Sequence, residues 1–351
     1  MRVKKHKGLR GTACLLVIVL VVSLLSGCTS GSTVEQTGDT DKYPRMRLRM
    51  TTNGTAIATD TVSAQRFAEI VAERSGNNIQ ISVFSDDQLA GGNMSKGVEM
   101  VAQGATDISA YATSVLAAID QRLMVGALPW LFADYTEARE VIDTTGGPFY
   151  AKLLKEKGLH YLASTHNGFR QITNNERTIR TPEDIFGLKI RIPGGQIYRE
   201  FWQAFKADPV AMSWGEVYTA LQQGTLDGQE NGYSVTNSAN VFEIQKYMTE
   251  WNYTYEQYLF VVNQRVWDGL TPETQTLLQE AATEAANWGR DKVEKEELEL
   301  RQKFMDSGMD VYIPTEEEMA AFKAVVQPMI ARYAEIYGEE ADRAFNLTGL
   351  E

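Results

Sequence analysis

Apolar and polar positions in the first part of the chain follow two periods. Residues 46–50 and 79–83 alternate apolar and polar side chains, the period of two that a half-buried β-strand shows. Residues 64–71 and 94–104 carry apolar side chains at helical spacing, and residues 107–111 form another segment of strand length. This order of strand, helix, strand, helix and strand predicts a mainly parallel sheet covered on both faces.

The alternation resumes after a short apolar segment at residues 159–162. Residues 187–192 read "GLKIRI" and alternate as a strand, residues 196–205 predict a helix, and residues 258–262 predict a further apolar strand. Arg191 takes the last polar position of the first of these strands. A cation at that place either lies on a solvated face or binds an anion.

Sequence signals for helix starts predict where the remaining helices begin. Ser213 with Glu216, and Thr315 with Glu318, have the form of a capping box. Another helix starts with Pro272 at its first position, where the missing N–H group does no harm. Because the next proline is far along the chain, this helix is predicted to run for about 35 residues, or roughly 50 Å. That length is enough to lie along two domains.

The N-terminus has the order of a secretory signal. Five cations precede an apolar run over residues 13–25, which is too short for a clear membrane span. The run ends in "LSGC", which resembles the lipobox of bacterial lipoproteins and implies cleavage before Cys28 and attachment of lipid to its sulfur. The alternative is an uncleaved anchor with an incidental cysteine. Residues 1–27 are therefore predicted as a lipoprotein signal peptide and residues 28–43, which are almost free of apolar side chains, as a flexible tether.

The net charge of the chain limits the partners that it can bind, and its cysteine content shows what can stabilise it. Removing residues 1–27 takes away five cations and no acids, so the formal net charge changes from −12 to −17. Such an acidic body argues against nucleic acid or anionic lipid as a partner, because like charges repel. The mature chain keeps no thiol besides that of Cys28, so its stability has to come from its core.

The sequence offers little for catalysis. The mature chain contains two histidines, His160 and His166, and neither has a second histidine at metal-ligand spacing. A nucleophile elbow, a phosphate loop and a dinucleotide fingerprint are absent from the sequence. The acidic run over residues 316–318 lies at a helix start, where negative charge is favoured by the helix dipole. No catalytic residue, metal ion or cofactor is predicted.

Five polar or aromatic residues lie where predicted elements end: Asn53, Arg170, Arg191, Trp214 and Asn231. In α/β sheets, ligands bind outside the carboxyl ends of the strands. Two guanidinium groups, two amides and an indole suit an organic acid. Each residue also has a structural alternative: a turn for Asn53, an acid partner for Arg170, a place in the core for Trp214 and a helix cap for Asn231.

Six stretches, taken together, resemble the solute receptors of TRAP transporters of the four-carbon dicarboxylate and sialic acid receptor type. They read "NNIQISVFSDDQLAGG", "ALPWLF", "NGFRQIT", "GLKIRIPGG", "PVAMSWGEVYTALQQGTLDGQEN" and "VFEIQKYMTEWNYTY". The resemblance implies an α/β, two-domain periplasmic-binding-protein-like (Venus flytrap) fold with a long domain-spanning helix. The expected domains are residues 45–167 plus 257–296 and residues 168–256 plus 297–351.

The same resemblance implies roles for the residues at the element ends. Arg191 falls on the arginine that holds the substrate carboxylate through a two-pronged salt bridge, and Arg170 falls on a second arginine. Asn231 falls on an asparagine that also reaches the carboxylate. Trp214 takes the place of a ring that packs on the ligand, and Asn53 matches an asparagine from the first domain.

Departures from the sialic acid receptors limit the substrate. Small residues stand at positions 91–92, 110 and 112, around the places where those receptors present acidic side chains, and Tyr111 lies between the last two. Tyr111 is included in the predicted substrate site. Gly194 replaces a ligand-contacting asparagine. A smaller monocarboxylate is therefore expected, such as a sugar acid, a hydroxy acid or an aromatic acid stacked on Trp214.

These inferences predict a monomeric extracytoplasmic receptor, not an enzyme, that is lipid-anchored at Cys28 to the outer face of the cytoplasmic membrane. It would deliver a small organic acid to the TRAP membrane permease subunits, for uptake driven by an ion gradient. Two alternatives stay open: a ligand-sensing lipoprotein that reports to a membrane sensor, and an exported enzyme in which His166 or an acidic residue acts as the base.

Overall fold

The structure, a computed structural model, describes residues 42–350. The predicted signal peptide, the lipidated Cys28 and all but the last residues of the predicted tether lie outside the described residues. Within the described range, no helix combines the length and the apolar character that crossing a membrane requires.

Within residues 42–350, nine strands join in one mixed sheet. They are β1 (Met46–Thr52), β2 (Ile79–Phe84), β3 (Ile108–Ala112), β4 (Leu159–Asn174), β5 (Lys189–Ile192), β6 (Asp208–Ala211), β7 (Gly228–Asn231), β8 (Tyr247–Asn263) and β9 (Asp310–Tyr312). The order across the sheet is β2-β1-β3-β8-β4-β7-β5-β6, and β9 pairs with β8.

The expectation of a mainly parallel sheet holds only at the two sides of the sheet. β1 pairs in parallel with β2 and β3, and β5 pairs in parallel with β6 and β7. In the middle, β4 and β8 run antiparallel to each other, and each runs antiparallel to its outer neighbour. The sequence pattern predicted only the first residues of β4 and the last of β8, because polar residues interrupt the apolar pattern in the rest of both strands.

Eleven α-helices cover the sheet in the described part of the chain. They are α1 (Thr59–Arg74), α2 (Met94–Gln103), α3 (Thr113–Leu116), α4 (Tyr135–Val141), α5 (Gly147–Glu156), α6 (Gln196–Ala204), α7 (Trp214–Gln222), α8 (Tyr233–Ser238), α9 (Gln264–Asp268), α10 (Pro272–Asp306) and α11 (Glu316–Phe345). A π-helical segment, Ile142–Gly146, joins α4 to α5, and α11 is broken at Gly338.

The long helix is confirmed. α10 has 35 residues, with proline in its first turn and the Thr271 side chain accepting a hydrogen bond from the N–H of Thr274. Its first half packs small and apolar side chains of residues 277–286 in one core with residues of α1, β1 and β3. Near its other end, Phe304 stacks on Phe242 in a separate apolar cluster. The helix therefore braces two distant parts of the sheet.

The two proposed capping boxes have different outcomes. Thr315 caps α11 as predicted, since its side chain accepts from the N–H of Glu318 while the Glu318 carboxylate accepts from the N–H of Thr315. Ser213 does occupy the N-cap of α7, but its side chain makes no cap hydrogen bond. The capping box at Ser213 was therefore predicted wrongly.

β4 and β8 cross the whole sheet with irregular pairing. Their register shifts between Tyr161 and Ala163, between His166 and Gly168, and between Arg170 and Ile172. Gly168 has a φ of 108°, which favours glycine, and an added Cβ would lie 3.0 Å from the Tyr135 hydroxyl. Polar residues of β4 near these irregularities, such as His166 and Arg170, are buried.

The described residues all fall in one compact unit. The boundaries predicted from the sequence, with one domain at 45–167 plus 257–296 and the other at 168–256 plus 297–351, stay a prediction. Each predicted domain contains one parallel side of the sheet together with part of β4 and β8.

Candidate functional site

A narrow cavity lies at the carboxyl ends of strands from both parallel sides of the sheet. Asn53 follows β1, Ala112 ends β3, and Asn231 ends β7. The lining consists of Asn53, Gly54, Ala58, Ala112, Ser114, Val115, Asn167, Arg170, Arg191, Pro193, Trp214, Asn231, Val235, Glu256 and Tyr258. Five of the six predicted substrate residues therefore meet in one place, as the rule for the carboxyl ends of α/β strands leads one to expect.

Arg191 is buried, so the alternative of a solvated face is wrong. Its strand places it at the bottom of the cavity with 2% of its surface exposed. Nε and Nη2 donate to the carbonyl oxygen of Met212 at 2.9 and 2.7 Å. Within residues 42–350, no carboxylate forms an ion pair with it. Burial lowers the pKa of Arg191 to about 9, although the charge of Glu230 opposes this shift.

Trp214 supports this guanidinium. It is the first residue of α7, and its ring centroid lies 5.1 Å from the guanidinium carbon of Arg191. A cation over the face of an indole is attracted by the ring quadrupole. In the described part of the chain, the Trp214 Nε1–H group has no hydrogen-bond partner although it is buried. Trp214 thus packs against Arg191 and also has an unpaired N–H donor in a residue that lines the cavity.

Arg170 has the acid partners that the structural alternative foresaw. Its Nε and Nη2 donate to the Glu230 carboxylate at 2.5 and 2.8 Å, and its Nη1 donates to Glu256. All three side chains are buried, with at most 1% of their surface exposed. Burial opposes the charge of Arg170, but its attraction to Glu230 and Glu256 raises its pKa well above the ordinary value.

The two glutamates differ in their other contacts. Glu230 Oε2 accepts from the Tyr253 hydroxyl at 2.6 Å. Burial raises the pKa of Glu230, and the charge of Arg170 opposes that shift. Glu256 Oε1 accepts from the backbone N–H of Ser114 at 2.9 Å, and its Oε2 accepts from the Asn167 amide at 2.9 Å. Glu256 thus ties α3 to β4.

The cavity wall also carries acceptors that face no donor. Asn53 Oδ1, Asn167 Oδ1 and Ser114 Oγ are buried without a hydrogen-bond partner in the described range. Asn231 is held by its neighbour, because its amide donates to Gln229 Oε1 at 2.8 Å. Buried polar groups are normally paired. A ligand with hydroxyl groups would pair them here.

The structure does not bring Tyr111 into this cavity. Side chains of a strand alternate between its faces, so Ala112 reaches the lining while Tyr111 points elsewhere. The Tyr111 hydroxyl donates to Asp87 Oδ1 at 2.5 Å and lies 3.4 Å from Thr51 Oγ1. Gly194 and the glycines at 91–92 also lie outside the lining.

His166 is likewise absent from the lining. It is fully buried, its Nδ1 lies 2.7 Å from the Tyr255 hydroxyl, and its Nε2 lies 3.0 Å from Glu294 Oε1. Burial lowers the pKa of His166 to about 4, although Glu294 opposes the shift. The geometry therefore does not support His166 as a base at this site. Across residues 42–350, no group of His, Cys, Asp and Glu side chains could hold a metal ion.

Sequence reasoning missed four polar residues of the lining: Ser114, Asn167, Glu256 and Tyr258. Glu256 and Tyr258 lie two apart on β8 and so share a face. The predicted strand began at residue 258, and a carboxylate just before it gave no sign of belonging to a buried strand. Asn167 stands in the "HNGFR" stretch beside Arg170, where the arginine alone was considered.

The cavity is tight in this conformation. The centre of a water molecule can occupy about 20 Å³ of it, which is room for about one water. An organic acid is larger than that. Its entry therefore requires the walls to separate, and the walls come from both parallel sides of the sheet.

Comparisons with known proteins agree with a binding site for acids. The family model described as "Bacterial extracellular solute-binding protein, family 7" matches residues 51–336. Among curated proteins, the 2,3-diketo-L-gulonate-binding periplasmic protein of Escherichia coli K12 is 31% identical over 250 residues. That match covers 71% of this chain and 76% of the relative.

Solved structures match over nearly all of their length. A TRAP periplasmic solute binding protein of Ralstonia eutropha H16 with bound (S)-2-acetolactate has a TM-score of 0.83 and 26% identity, covering 87% of this chain and 99% of the other. One from Polaromonas sp. JS666 bound to D-erythronate has a TM-score of 0.81 and 29% identity, covering 86% and 98%. Both matches reproduce the two-domain architecture that the sequence predicted.

Proposed function

Because the chain belongs to the bacterial extracellular solute-binding proteins of family 7, we propose that it is the receptor that captures a small hydroxylated monocarboxylate and delivers it to a TRAP membrane permease. Membership of a family of solute-binding proteins agrees with the prediction that the chain is not an enzyme.

The proposal rests on one observation: Arg191 is buried and forms no ion pair with a carboxylate of the described residues. A buried guanidinium without a carboxylate partner among the described residues is costly unless an anion pairs with it. The planar guanidinium can donate two parallel hydrogen bonds to the two oxygens of a carboxylate. Charge-assisted hydrogen bonds of this kind contribute about 1.5–3 kcal/mol each. Trp214 and the Met212 carbonyl hold the group in place, so the anion meets a preorganised partner.

The unpaired hydrogen-bond acceptors of the cavity support the proposal that the ligand carries hydroxyl groups. Asn53 Oδ1, Asn167 Oδ1 and Ser114 Oγ can each accept a hydrogen bond, and Trp214 Nε1 can donate one. Two related receptors are described with D-erythronate and with (S)-2-acetolactate, both hydroxy acids. A polyhydroxy or 2-hydroxy acid of about four to six carbons would use these groups.

The charges of the cavity favour one carboxylate over two. A dicarboxylate needs a second cation, and Arg170 already binds both Glu230 and Glu256. A second ligand carboxylate would lie close to these glutamates and be repelled. The proposal is therefore a monocarboxylate.

Delivery requires the receptor to change shape. The ligand contacts residues from both sides of the sheet, such as Asn53 and Arg191, only when the walls are together, so binding favours the closed state. The two predicted domains, hinged at β4 and β8, would supply the motion. The lipid anchor at Cys28 and the monomeric state belong to the same proposal, in which a tethered receptor works at the outer face of the cytoplasmic membrane.

A thermal-shift screen tests the function. The purified protein is heated with sugar acids, hydroxy acids, dicarboxylates and aromatic acids. A ligand at about 100 times its Kd adds roughly 2.7 kcal/mol to the free energy of unfolding, which raises Tm by a few degrees. We expect hydroxy monocarboxylates to give the largest shift.

Two arginine variants make the screen specific. Arg191→Ala should abolish the shift, because it leaves a buried ligand carboxylate unpaired, a loss of roughly 3–5 kcal/mol. Arg199→Ala, at an exposed position of α6, should keep it. An equal shift in both variants would contradict the assignment of Arg191.

A further inference from the structure

Four charged side chains lie together at the cavity, three of them in its lining. Arg170, Arg191, Glu230 and Glu256 are each at most 2% exposed. Arg170 links the two glutamates, while Arg191 has no carboxylate of its own within the described residues. With both glutamates ionised the group of four has no net charge.

A bound monocarboxylate upsets this balance. Its negative charge pairs with Arg191, and the other three side chains then keep one negative charge in excess. A net charge out of contact with water is strongly unfavourable, and buried ionisable groups usually respond by changing protonation. The cheapest response is to neutralise one carboxylate.

We propose that loading of the acid is coupled to the uptake of one proton from solvent by Glu230. This inference rests on the proposed function, since it concerns the same cavity and the same ligand. No bond other than that to the proton is formed: the proton leaves the buffer, binds a Glu230 oxygen, and departs again when the ligand is released.

The surroundings of the two glutamates select Glu230. Its Oε2 faces the Tyr253 hydroxyl, which can turn to accept a hydrogen bond from a protonated carboxyl. Glu256 instead accepts from the Ser114 N–H, the Asn167 Nδ2 and Arg170, and its hydroxyl neighbour, Thr113 Oγ1, lies at 3.4 Å, farther than the 2.6 Å between Glu230 and the Tyr253 hydroxyl. Glu230 therefore has the nearer hydroxyl acceptor for the O–H of a protonated carboxyl.

All groups that face Glu230 take part in this balance. Arg170 comes from β4, Arg191 from β5 and Tyr253 with Glu256 from β8, while Tyr198 of α6 lies with its ring 5.3 Å from the Arg170 guanidinium carbon. Burial raises the pKa of Glu230 even before a ligand adds its charge. A ligand carboxylate acts in the same direction.

Calorimetry with D-erythronate as the probe measures the proton directly. The binding heat is recorded at one pH in two buffers that differ in ionisation enthalpy, such as phosphate and Tris. We expect the heats to differ by the buffer difference times a proton number close to one. Affinity should also fall with rising pH, by up to tenfold per pH unit, because the bound state holds the extra proton. Equal heats in the two buffers would overturn the proposal.

Variants identify the group that takes the proton. Glu230→Gln should bind with a buffer-independent heat, and Tyr253→Phe should reduce the proton number because the acceptor for the new O–H is gone. Glu243→Gln, at an exposed position, should leave the proton number unchanged. An undiminished proton number in Glu230→Gln would show that another group is protonated and would refute the assignment.

A ligand-free measurement separates this inference from the proposed function. Arg191→Met removes the cation and leaves the same excess negative charge that a ligand creates. Its folded state should therefore hold one proton more than the wild-type protein, so its stability relative to wild type should fall as pH rises from 6 to 8. Parallel stability curves would refute proton uptake, whereas a lack of binding by every acid would contradict the proposed function alone.

Discussion

The guanidinium carbon of Arg191 lies 5.1 Å from the ring centroid of Trp214, and two of its nitrogens bind the Met212 carbonyl that precedes α7. The start of α7 thus fixes the cation that β5 presents to the cavity. We therefore expect the affinity for an acid to depend on this contact as well as on the charge of Arg191.

Replacement of Trp214 tests that dependence. Trp214→Ala should weaken acid binding by about 1–2 kcal/mol, or roughly 5–30-fold in Kd, because a buried cation–π contact is lost. Trp214→Phe keeps a ring and should lose less. Isothermal titration calorimetry gives both values. Trp288→Ala, which removes a half-exposed tryptophan of α10, is the control and should bind as wild type does. Unchanged affinity in Trp214→Ala would contradict the contact's role.

The two arginines of the cavity should differ in the absence of ligand. Arg170→Met leaves two buried carboxylates without their partner, so it should lower the free energy of unfolding by about 3–5 kcal/mol. Arg191→Met removes a cation that pairs with no carboxylate in residues 42–350, and at pH 6 it should be neutral or stabilising. Urea denaturation of the ligand-free proteins measures both. Equal losses would mean that Arg191 has a structural role of its own.

His166 should make stability depend on acidity. Its pKa is about 4 in the folded chain because of burial, against about 6.5 when unfolded. Between these values the unfolded state binds more protons, so stability is complete above pH 6.5 and falls as pH drops toward 4, by about 3 kcal/mol from this group. His166→Gln should show a flatter curve over that range. Denaturation at several pH values checks it, and equal slopes would be evidence against the assigned shift.

The two capping sites provide a matched pair of predictions. Thr315→Ala removes a hydroxyl that accepts from the N–H of Glu318 and should cost about 1 kcal/mol. Ser213→Ala removes a hydroxyl that makes no cap hydrogen bond, and its cost should stay below about 0.5 kcal/mol. The free energies of unfolding distinguish the two. A larger loss for Ser213→Ala would reverse the reading of both caps.

Local patterns in the sequence were enough for six of the helices in the described residues and for four strands of the parallel sides, namely α1, α2, α6, α7, α10, α11, β1, β2, β3 and β5. α10 was predicted at about 35 residues from local signals, a proline at the start and no further proline until Pro314. β4 and β8 were not predicted in full, because their middle parts carry buried polar residues. Burial of Gln171 or Glu256 depends on partners that no local pattern reveals.

The residues of the site, too, could be predicted only as far as local sequence patterns and the resemblance allowed. Arg191 was predicted as a site residue from its place at a strand end and from the resemblance, and it lines the cavity. The partners of Arg170 could not, since Glu230 and Glu256 are 60 and 86 residues away in the chain. Tyr111 was misplaced by one position on its strand, and in a strand one position exchanges the faces. The charge balance at the cavity became readable only from the folded chain.

The central position of β8 has a consequence for how the chain acquires its structure. Leu48 and Ile108 share their core with Phe260, Val262 and the first half of α10, residues that are synthesised much later. Contacts between such distant parts of a sequence form slowly. The early half of a growing chain therefore lacks β8, which is the second neighbour of β3, and the first half of α10 until about residue 286 has been made. This core is therefore completed only after most of the chain has been synthesised.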